Sequence, residues 1–542
     1  FDLSLTHADN DLIGNELLPL SFYKQDRESV FTRPDQTINK MTMLNLTGSR
    51  FISDSLQLAG NIYHRRSNRK GLNGDSNDDF EDSPNDGACD PADFSDPQDA
   101  ADCAAHGGLG VNEGTGVNNR TKTEQRGSGF TFQLSKLDKR NQFTIGTSFD
   151  TSRSEFSQSS AEGSFDDTRA VEEEEEGEVE NELTGRTRTI SLFLTDTFTL
   201  TPATHLTLSG RYNRTRVKAT DELNPTPPNL DGDFTYKKFN PAIGITHRLA
   251  GDKVTVFGGW SQGNRAPSPI ELGCADPDNP CTLPNALASD PFLDQVVART
   301  FEAGVRGRAG ANLNWNLSAF RTVNRDDIIF ISTSAAAGYF TNFGETKRQG
   351  IEAGLSTKLG RADLHLSYGY TKATFESSAC LLGENNSTRG ASANCASDDE
   401  IFVSAGSIIP GIPKHSLKLG LDFNVNERWS IGATALYYSD QFVRGNENNK
   451  HEVGTFTDNF GETREFLGSG KVGGYGALNL HTSFRAFWSD KQPVRQEVLY
   501  SGRAGGESIR FISQLPNRLG RLDARDVLCT GRSAWHLGRV AL

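Results

Sequence analysis

Residues 254–308 read VTVFGGWSQGNRAPSPIELGCADPDNPCTLPNALASDPFLDQVVARTFEAGVRGR. Val254, Val256, Gly258 and Trp260 share one parity, with Thr255, Gly259 and Ser261 on the other. That is the period of a strand with one apolar face. Ala298 to Arg308 has weaker alternation but comparable length and glycine content. Between the two runs lies a polar insert with Cys274 and Cys281 flanking Asp276-Pro277-Asp278-Asn279-Pro280. The stretch predicts an up strand, a long excursion and a down strand.

The rest of the chain repeats this unit. Leu3 and Leu5 open the first strand, and Met41 to Phe51 turns through Ser53-Asp54-Ser55 into Leu56 to Arg66. Ile190, Leu192, Leu194, Phe198 and Leu200 oppose a row of threonines, and the chain returns through Leu206, Leu208 and Tyr212. The same alternation recurs at Leu313 to Ala319, Leu364 to Tyr370, Leu417 to Phe423 and Leu478 to Phe484. About sixteen strands result, joined alternately by short turns and by loops of roughly ten to fifty residues, which is the pattern of a membrane barrel. The predicted fold is therefore all-β: an antiparallel transmembrane β-barrel with long extracellular loops and short periplasmic turns. In hydrocarbon every backbone N–H and C=O must be paired, so only helices and closed barrels span it. Arg211, Lys418 and Asp422 fall on the polar parity, and Trp260, Tyr370, Tyr437 and Tyr438 suit interfacial girdles.

Composition agrees. The 542 residues are only 35% hydrophobic, and mean hydropathy is −0.53. No apolar run is long enough for a transmembrane helix, whereas a barrel strand needs apolar residues on its lipid side alone. The net charge of −14 argues against a nucleic-acid surface. No fixed period of the kind that builds a solenoid is present. Phe1 follows no basic and apolar leader, so an export signal is expected to be removed or to lie upstream. Of seven cysteines, Cys89 with Cys103, Cys274 with Cys281 and Cys380 with Cys395 each share a long polar segment, and Cys529 stands alone. This spacing predicts local disulfides in an oxidising compartment; free thiols are the alternative.

Five segments carry a family resemblance. Asn264-Arg265-Ala266-Pro267-Ser268-Pro269-Ile270-Glu271-Leu272 resembles the RAPS-x-x-EL junction of TonB-dependent outer-membrane receptors, and Arg299 to Gly307 resembles the strand that follows it. Asn342-Phe343-Gly344 through Arg348, Gly350 and Glu352 is similar to another of their strands. Pro410-Gly411-Ile412-Pro413-Lys414-His415 and Gly474-Tyr475 with Asn479-Leu480 resemble later signals. The resemblance covers about Phe1 to Phe487 and implies a barrel of about 22 strands with a lumenal plug, of which about 16 are readable here. It further implies uptake of a metal chelate, a ferric siderophore above all, driven by the TonB complex in the full-length protein. The implied location is the outer membrane of a Gram-negative bacterium, with the chain a monomer among its lipids. No plug and no TonB box precede Phe1 in this reading. Residues 488–542 lose the alternation, gain arginine and end in Val540-Ala541-Leu542 without a final aromatic residue; this tail reads as out of frame. A passive porin is the second reading of the whole, and an outer-membrane enzyme the third.

No catalytic, cofactor or metal signature is found. Asp75, Asn77, Asp79 and Asp86 approach a calcium-loop spacing, but Phe80 stands where glycine is needed. Glu172 to Glu176 reads as a solvated loop. The substrate-contact candidates are Arg265, for an anionic group, and Tyr339 and Phe340, for stacking. Each has a structural alternative: a junction contact for Arg265, loop or rim packing for the two aromatic residues.

Overall fold

In a computed structural model the chain is described at residues 1–14, 18, 20–77, 115–173, 177–224, 226, 230–249, 251, 253–273, 281–282, 293–332, 337–383, 385–397, 399–457, 461, 463–487 and 494–503. The first half holds β1 (Asp2–Gly14), α1 (Leu20–Gln25), β2 (Asp35–Ser53), β3 (Leu56–Ser76), β4 (Gly116–Leu137), β5 (Asn141–Phe165), β6 (Val171–Glu173), β7 (Glu178–Thr201), β8 (Thr204–Asp221) and β9 (Gly232–Leu249). Then come β10 (Val254–Arg265), α2 (Pro269–Gly273), β11 (Cys281–Thr282), β12 (Val296–Ala309), β13 (Leu313–Ser332), β14 (Ala337–Leu359) and β15 (Ala362–Phe375). The last part holds β16 (Ala379–Leu382), β17 (Glu400–Val403), β18 (His415–Asn424), β19 (Trp429–Tyr438), β20 (Gln441–Phe442), β21 (Gly454–Thr457), β22 (Thr463–Phe466), β23 (Lys471–Val472), β24 (Tyr475–Phe487) and β25 (Val494–Arg503).

One 19-stranded sheet contains all but the three small hairpins β16–β17, β20–β23 and β21–β22. Within it β6 and β11 are short additions; the other strands form an antiparallel wall in sequence order, as the alternation predicts. Among the described residues no ladder joins β1 to β25. Register places apolar residues opposite one another on one face: Leu46 with Ile62, Ile62 with Phe130, Phe149 with Ile190, Leu208 with Ile243, Trp260 with Phe301, and Leu364 with Leu421. Many of these side chains are exposed, Leu192 at 58% and Ile190 at 52%. In water so broad an apolar band is an aggregation hazard; against lipid tails it costs nothing. This is the outer face, and the opposite parity is lumenal. Tyr437 is exposed on the outer parity, whereas its neighbour Tyr438 turns the other way and pairs with Tyr475, ring centroids 5.4 Å apart.

The wall strands overshoot the membrane. A spanning strand needs about ten residues, but β4, β5 and β7 run to 22, 25 and 24. The apolar band lies near the short turns, so the excess projects at the loop end, where the outer parity becomes polar at Arg214, Arg216 and Lys218.

Two lumenal bridges skip a strand. Tyr63 on β3 donates to Asp150 Oδ1 on β5 at 2.8 Å, passing over Gly129 on β4, where a Cβ would sit 2.6 Å from Asp150 Oδ1 and 2.7 Å from Tyr63 Cε1. Asp422 on β18 and His481 on β24 meet at 2.7 Å over Gly432 on β19. Arg211 is lumenal too: it lies over the Phe193 ring at 5.4 Å and donates to Ser148 Oγ at 2.9 Å.

One strand departs from the sequence reading. Alternation was expected to stop at Trp488, yet Val494–Arg503 pairs with β24, Leu480 opposite Tyr500. The consecutive apolar residues Val498, Leu499 and Tyr500 mask the period there. The rest of the tail, 504–542, lies outside the described residues, as does Cys529.

Candidate functional site: the loop end of the lumen

The segment that decided the fold also narrows the lumen. β10 ends at Arg265, and the chain turns inward to α2, whose start is written locally. Ser268 is the N-cap, Pro269 the first helical residue and Glu271 the reciprocal partner. Ser268 Oγ accepts the Glu271 N–H at 3.2 Å, and Glu271 Oε2 accepts the Ser268 N–H at 2.8 Å. The Glu271 carboxylate is further clamped by Arg265 Nη1, which donates to both its oxygens at 2.8 and 2.7 Å. Gly185 on β7 makes room, because a Cβ there would come within 2.6 Å of Pro269 Cβ.

Leu272, 1% exposed, joins Val217, Tyr236, Val296 and Ile328 in one lumenal cluster; burying such a side chain stabilises by roughly 1.5–3 kcal/mol. Ile270 packs on a second cluster of Phe156, Leu183, Ala219 and Leu230. Phe340 touches both clusters and meets Phe330 edge-on at 5.1 Å. Asn264 ties the junction to its neighbours: its Oδ1 accepts from Asn213 at 3.0 Å and Asn240 at 2.7 Å, and its amide donates to Gln295 at 2.9 Å.

Beside this wedge two loops form an ordered lobe. The first carries the β16–β17 hairpin, closed by a disulfide between Cys380 and Cys395 with Cα atoms 5.6 Å apart. A cluster of Ile331, Tyr339, Phe343, Phe375, Leu381 and Ile401 anchors it. The second, 439–474, is joined to the first through polar groups. Asn386 donates to the Gly445 carbonyl at 2.8 Å, Asn448 to Thr388 Oγ1 at 2.7 Å, and the Glu452 N–H to Ser387 Oγ at 2.8 Å. His451 Nδ1 accepts the Ser387 N–H at 3.0 Å, and its Nε2 reaches the Gly468 carbonyl at 3.0 Å. A donor on one side and an acceptor on the other require the neutral, Nε2-protonated ring. Asn386, Asn446 and Glu447 are each at most 2% exposed.

Burial pushes the Glu447 carboxyl up to about 7; Oε1 accepts the Gly445 N–H at 3.0 Å while Oε2 has no partner. Burial likewise pushes the Tyr339 hydroxyl up to about 12, with the carboxylates of Glu400 and Glu447 adding to it. Between hairpin and wall lies a cavity of about 490 Å³ whose lining includes Tyr339, Asn342, Ser377, Ser397 and Glu400.

The sequence candidates fall as follows. Arg265 is half-exposed and engaged by Glu271. Tyr339, 4% exposed, is a packing residue of the lobe, and Phe340 belongs to the wedge. Of the cysteine pairs, Cys380–Cys395 is bonded; Cys89, Cys103 and Cys274 lie outside the described residues, and Cys281 sits in β11 opposite Gly338. Asp75 lies at the end of β3 and Asn77 just beyond it, while Asp79, Phe80 and Asp86 lie outside the described residues. Glu173 is not merely solvated: it accepts from Asn118 at 2.7 Å and pairs with Arg120, which holds its carboxyl below the usual range; 174–176 lie outside the described residues. The Asn386–Asn448 contact escaped the sequence reading, though Glu384-Asn385-Asn386 and Glu447-Asn448-Asn449 repeat the same triplet.

The family model for the TonB dependent receptor-like beta-barrel matches residues 2–491. The chain belongs to the TonB-dependent receptor family. Similar solved structures of this family's fold include the siderophore receptor PiuA from Acinetobacter baumannii, at TM-score 0.62 and 12% identity, covering 92% of this chain and 66% of that one. The unliganded ferric citrate transporter FecA matches at TM-score 0.61 and 13% identity, covering 92% and 61%. The pyoverdine outer membrane receptor FpvA from Pseudomonas aeruginosa PAO1 matches at TM-score 0.56 and 14% identity, covering 86% and 58%. This TonB-dependent receptor chain thus spans two thirds or less of the length of these three proteins.

Proposed function

We propose that the chain forms the wall of an outer-membrane receptor that takes up a ferric siderophore or a similar metal chelate, energised through TonB. The observation that carries this reading is the loop end: an apolar wedge set inside a polar lumen, beside a lobe of ordered loops. Such a throat admits a ligand from the loop side and holds it above the lumen. Proteins similar in fold are described as receptors for a siderophore, ferric citrate and pyoverdine. Arg265 is the residue proposed to meet an anionic ligand group, since its Nε and Nη2 donors have no partner among the described residues. Residues 1–487 are proposed as the wall and the remainder as a separate tail, with 494–503 adding a strand to that wall.

The test is titration of the full chain, folded in detergent, with catecholate, hydroxamate and carboxylate chelators in ferric and metal-free forms, followed by tryptophan fluorescence. One ferric class is expected to bind with Kd below about 10 μM, roughly −7 kcal/mol, and at least tenfold better than its metal-free form. Flat titrations with every ferric chelate overturn the iron reading. In cells carrying the whole gene, uptake is expected to stop when TonB is deleted.

A further inference from the structure

The lumenal face carries charge at the end opposite the wedge. On β10 and β12 to β15 the lumenal residues nearest the short turns fall into two rows of direct ladder partners. One row runs Thr255, Arg306, Asn316, Gly354 and Ser367. The other, one pleat nearer the turns, runs Arg308, Asn314, Ser356 and His365. Lys253 stands beside it, its carbonyl accepting the Arg308 N–H at 2.9 Å. Along these rows lies a cavity of about 620 Å³. Gly354 keeps its floor open, because a Cβ there would strike Asn316 Oδ1.

The cavity is cationic. Lys253, Arg306, Arg308 and His365 line it and are exposed, and no Asp or Glu is among its lining residues. Lys253, Arg306 and Arg308 have no carboxylate partner among the described residues. Arg306 lies over the Phe257 ring at 5.7 Å, a contact that orients the guanidinium without neutralising it. The nearest carboxylates are engaged or distant. Asp363 pairs with Lys358 at 3.9 Å and Asp422 with His481 at 2.7 Å. Glu302 is four residues from Arg306 on β12, roughly 14 Å along the strand. Toward the loop end Glu352 shares the lining of an adjoining cavity of about 360 Å³ with Lys418. Uncompensated positive charge thus stands at the turn end, in a chain of net charge −14.

Spacing decides what this charge can hold. Arg306 and Arg308 are one pleat apart, roughly 7 Å, and Lys253 is on the neighbouring strand, about 5 Å away. Three cations so close in a concave wall repel one another and focus positive potential into the cavity. Each guanidinium fork takes a carboxylate or phosphate by paired hydrogen bonds, and Asn314, Asn316 and Ser367 add neutral donors. Two forks roughly 7 Å apart suit an anion with two or more acidic groups better than one with a single group. The ladder from Val254 to Arg265 separates this place from the loop end by eleven residues of strand, roughly 37 Å.

We propose that this turn-end cavity is a second, lumenal binding site, for a small polyanion bearing two or more carboxylate or phosphate groups. A polycarboxylate cargo leaving the lumen and a free phosphate entering from the turn side share that chemistry. Only the first source rests on the uptake reading, so flat titrations with ferric chelates leave the test of this site untouched.

The experiment is equilibrium dialysis of the full chain, folded in detergent at pH 7.5 and low salt, against radiolabelled citrate, pyrophosphate or acetate, all free of metal. One citrate or pyrophosphate per chain is expected to be retained at least tenfold better than acetate, with retention falling as salt rises. Citrate retained at least as well as pyrophosphate identifies the cargo source, and the reverse preference identifies the free phosphate. Arg306→Gln/Arg308→Gln is expected to lose at least tenfold, and Arg321→Gln, on the outer face, to change nothing. Heat-modifiable gel mobility checks folding. If the double variant does not fold, Asn316→Asp keeps both arginines, sets a carboxylate beside Arg306 and is expected to lose about tenfold. Equal retention of all three anions, unchanged binding by the folded variants, or an equal loss in Arg321→Gln would overturn the proposal. So would loss of citrate and pyrophosphate binding in the product of the whole gene, which would assign these cations to a lumenal plug.

Discussion

The wedge at 264–273 and the lobe built from 376–414 and 439–474 sit at the same end of the wall, and they are held by opposite means. The wedge is local and apolar: a capping box within four residues, one ion pair six residues apart in sequence, and Leu272 pressed into the lumen. The lobe is distant and polar: its two segments meet through Asn386, Thr388, Asn448, His451 and Glu452, 59 to 65 residues apart. An apolar contact tolerates small shifts, whereas a buried amide without its partner loses the full desolvation cost. Losses in the wedge should therefore scale with the volume removed, and losses in the lobe with the hydrogen bonds left unmade.

The largest expected effect is in the wedge. Leu272→Ala leaves a cavity among Val217, Tyr236 and Ile328 and is expected to cost about 4 kcal/mol, read as accelerated protease cleavage within 266–273 while the barrel stays heat-modifiable. Asn386→Leu is expected to cost about 2 kcal/mol by orphaning the Gly445 carbonyl; hydrogen exchange should rise in 443–453 and not in the wedge. A rise spread evenly over both regions would erase the distinction drawn between them.

A pH series sharpens it further. The Glu447 carboxyl is raised from 4.5 to about 7, so the folded lobe holds a proton that the open one releases. Its stability is full below about pH 4.5 and is lost as pH rises through 7. Exchange in 443–453, corrected for intrinsic rates, should thus increase from pH 5 to 8. Glu447→Gln should abolish that slope. The wedge should show no slope. Least of all, Ser268→Ala should cost about 1 kcal/mol and slightly raise exchange at the start of α2.

The same contrast explains what could be read in advance. Wall strands were legible because lipid on one side and water on the other force a period of two, as at Ile190 to Leu200. The junction was legible because Ser268, Pro269 and Glu271 announce a helix start within one turn. Strand extents were not, since above the membrane both faces of β4 and β5 are wet and the period fades. The lobe was not either, because no local rule says which loop asparagine will meet which. Tyr339 illustrates the difficulty: an aromatic residue in a polar stretch suggests a ligand platform, but only the fold shows Phe343, Phe375 and Ile401 closing around it.

The bridges of Tyr63 to Asp150 over Gly129 and of Asp422 to His481 over Gly432 have a mechanical consequence. Each fastens strands that are not hydrogen-bonded to each other, as a hoop holds staves. Under a pulling force a meander peels hairpin by hairpin; at these two places the middle strand cannot leave until the bond above it parts. In single-molecule force extraction β3–β4–β5 and β18–β19–β24 should come out as triplets, with contour lengths that revert to pairs when Asp150 or Asp422 is replaced by alanine.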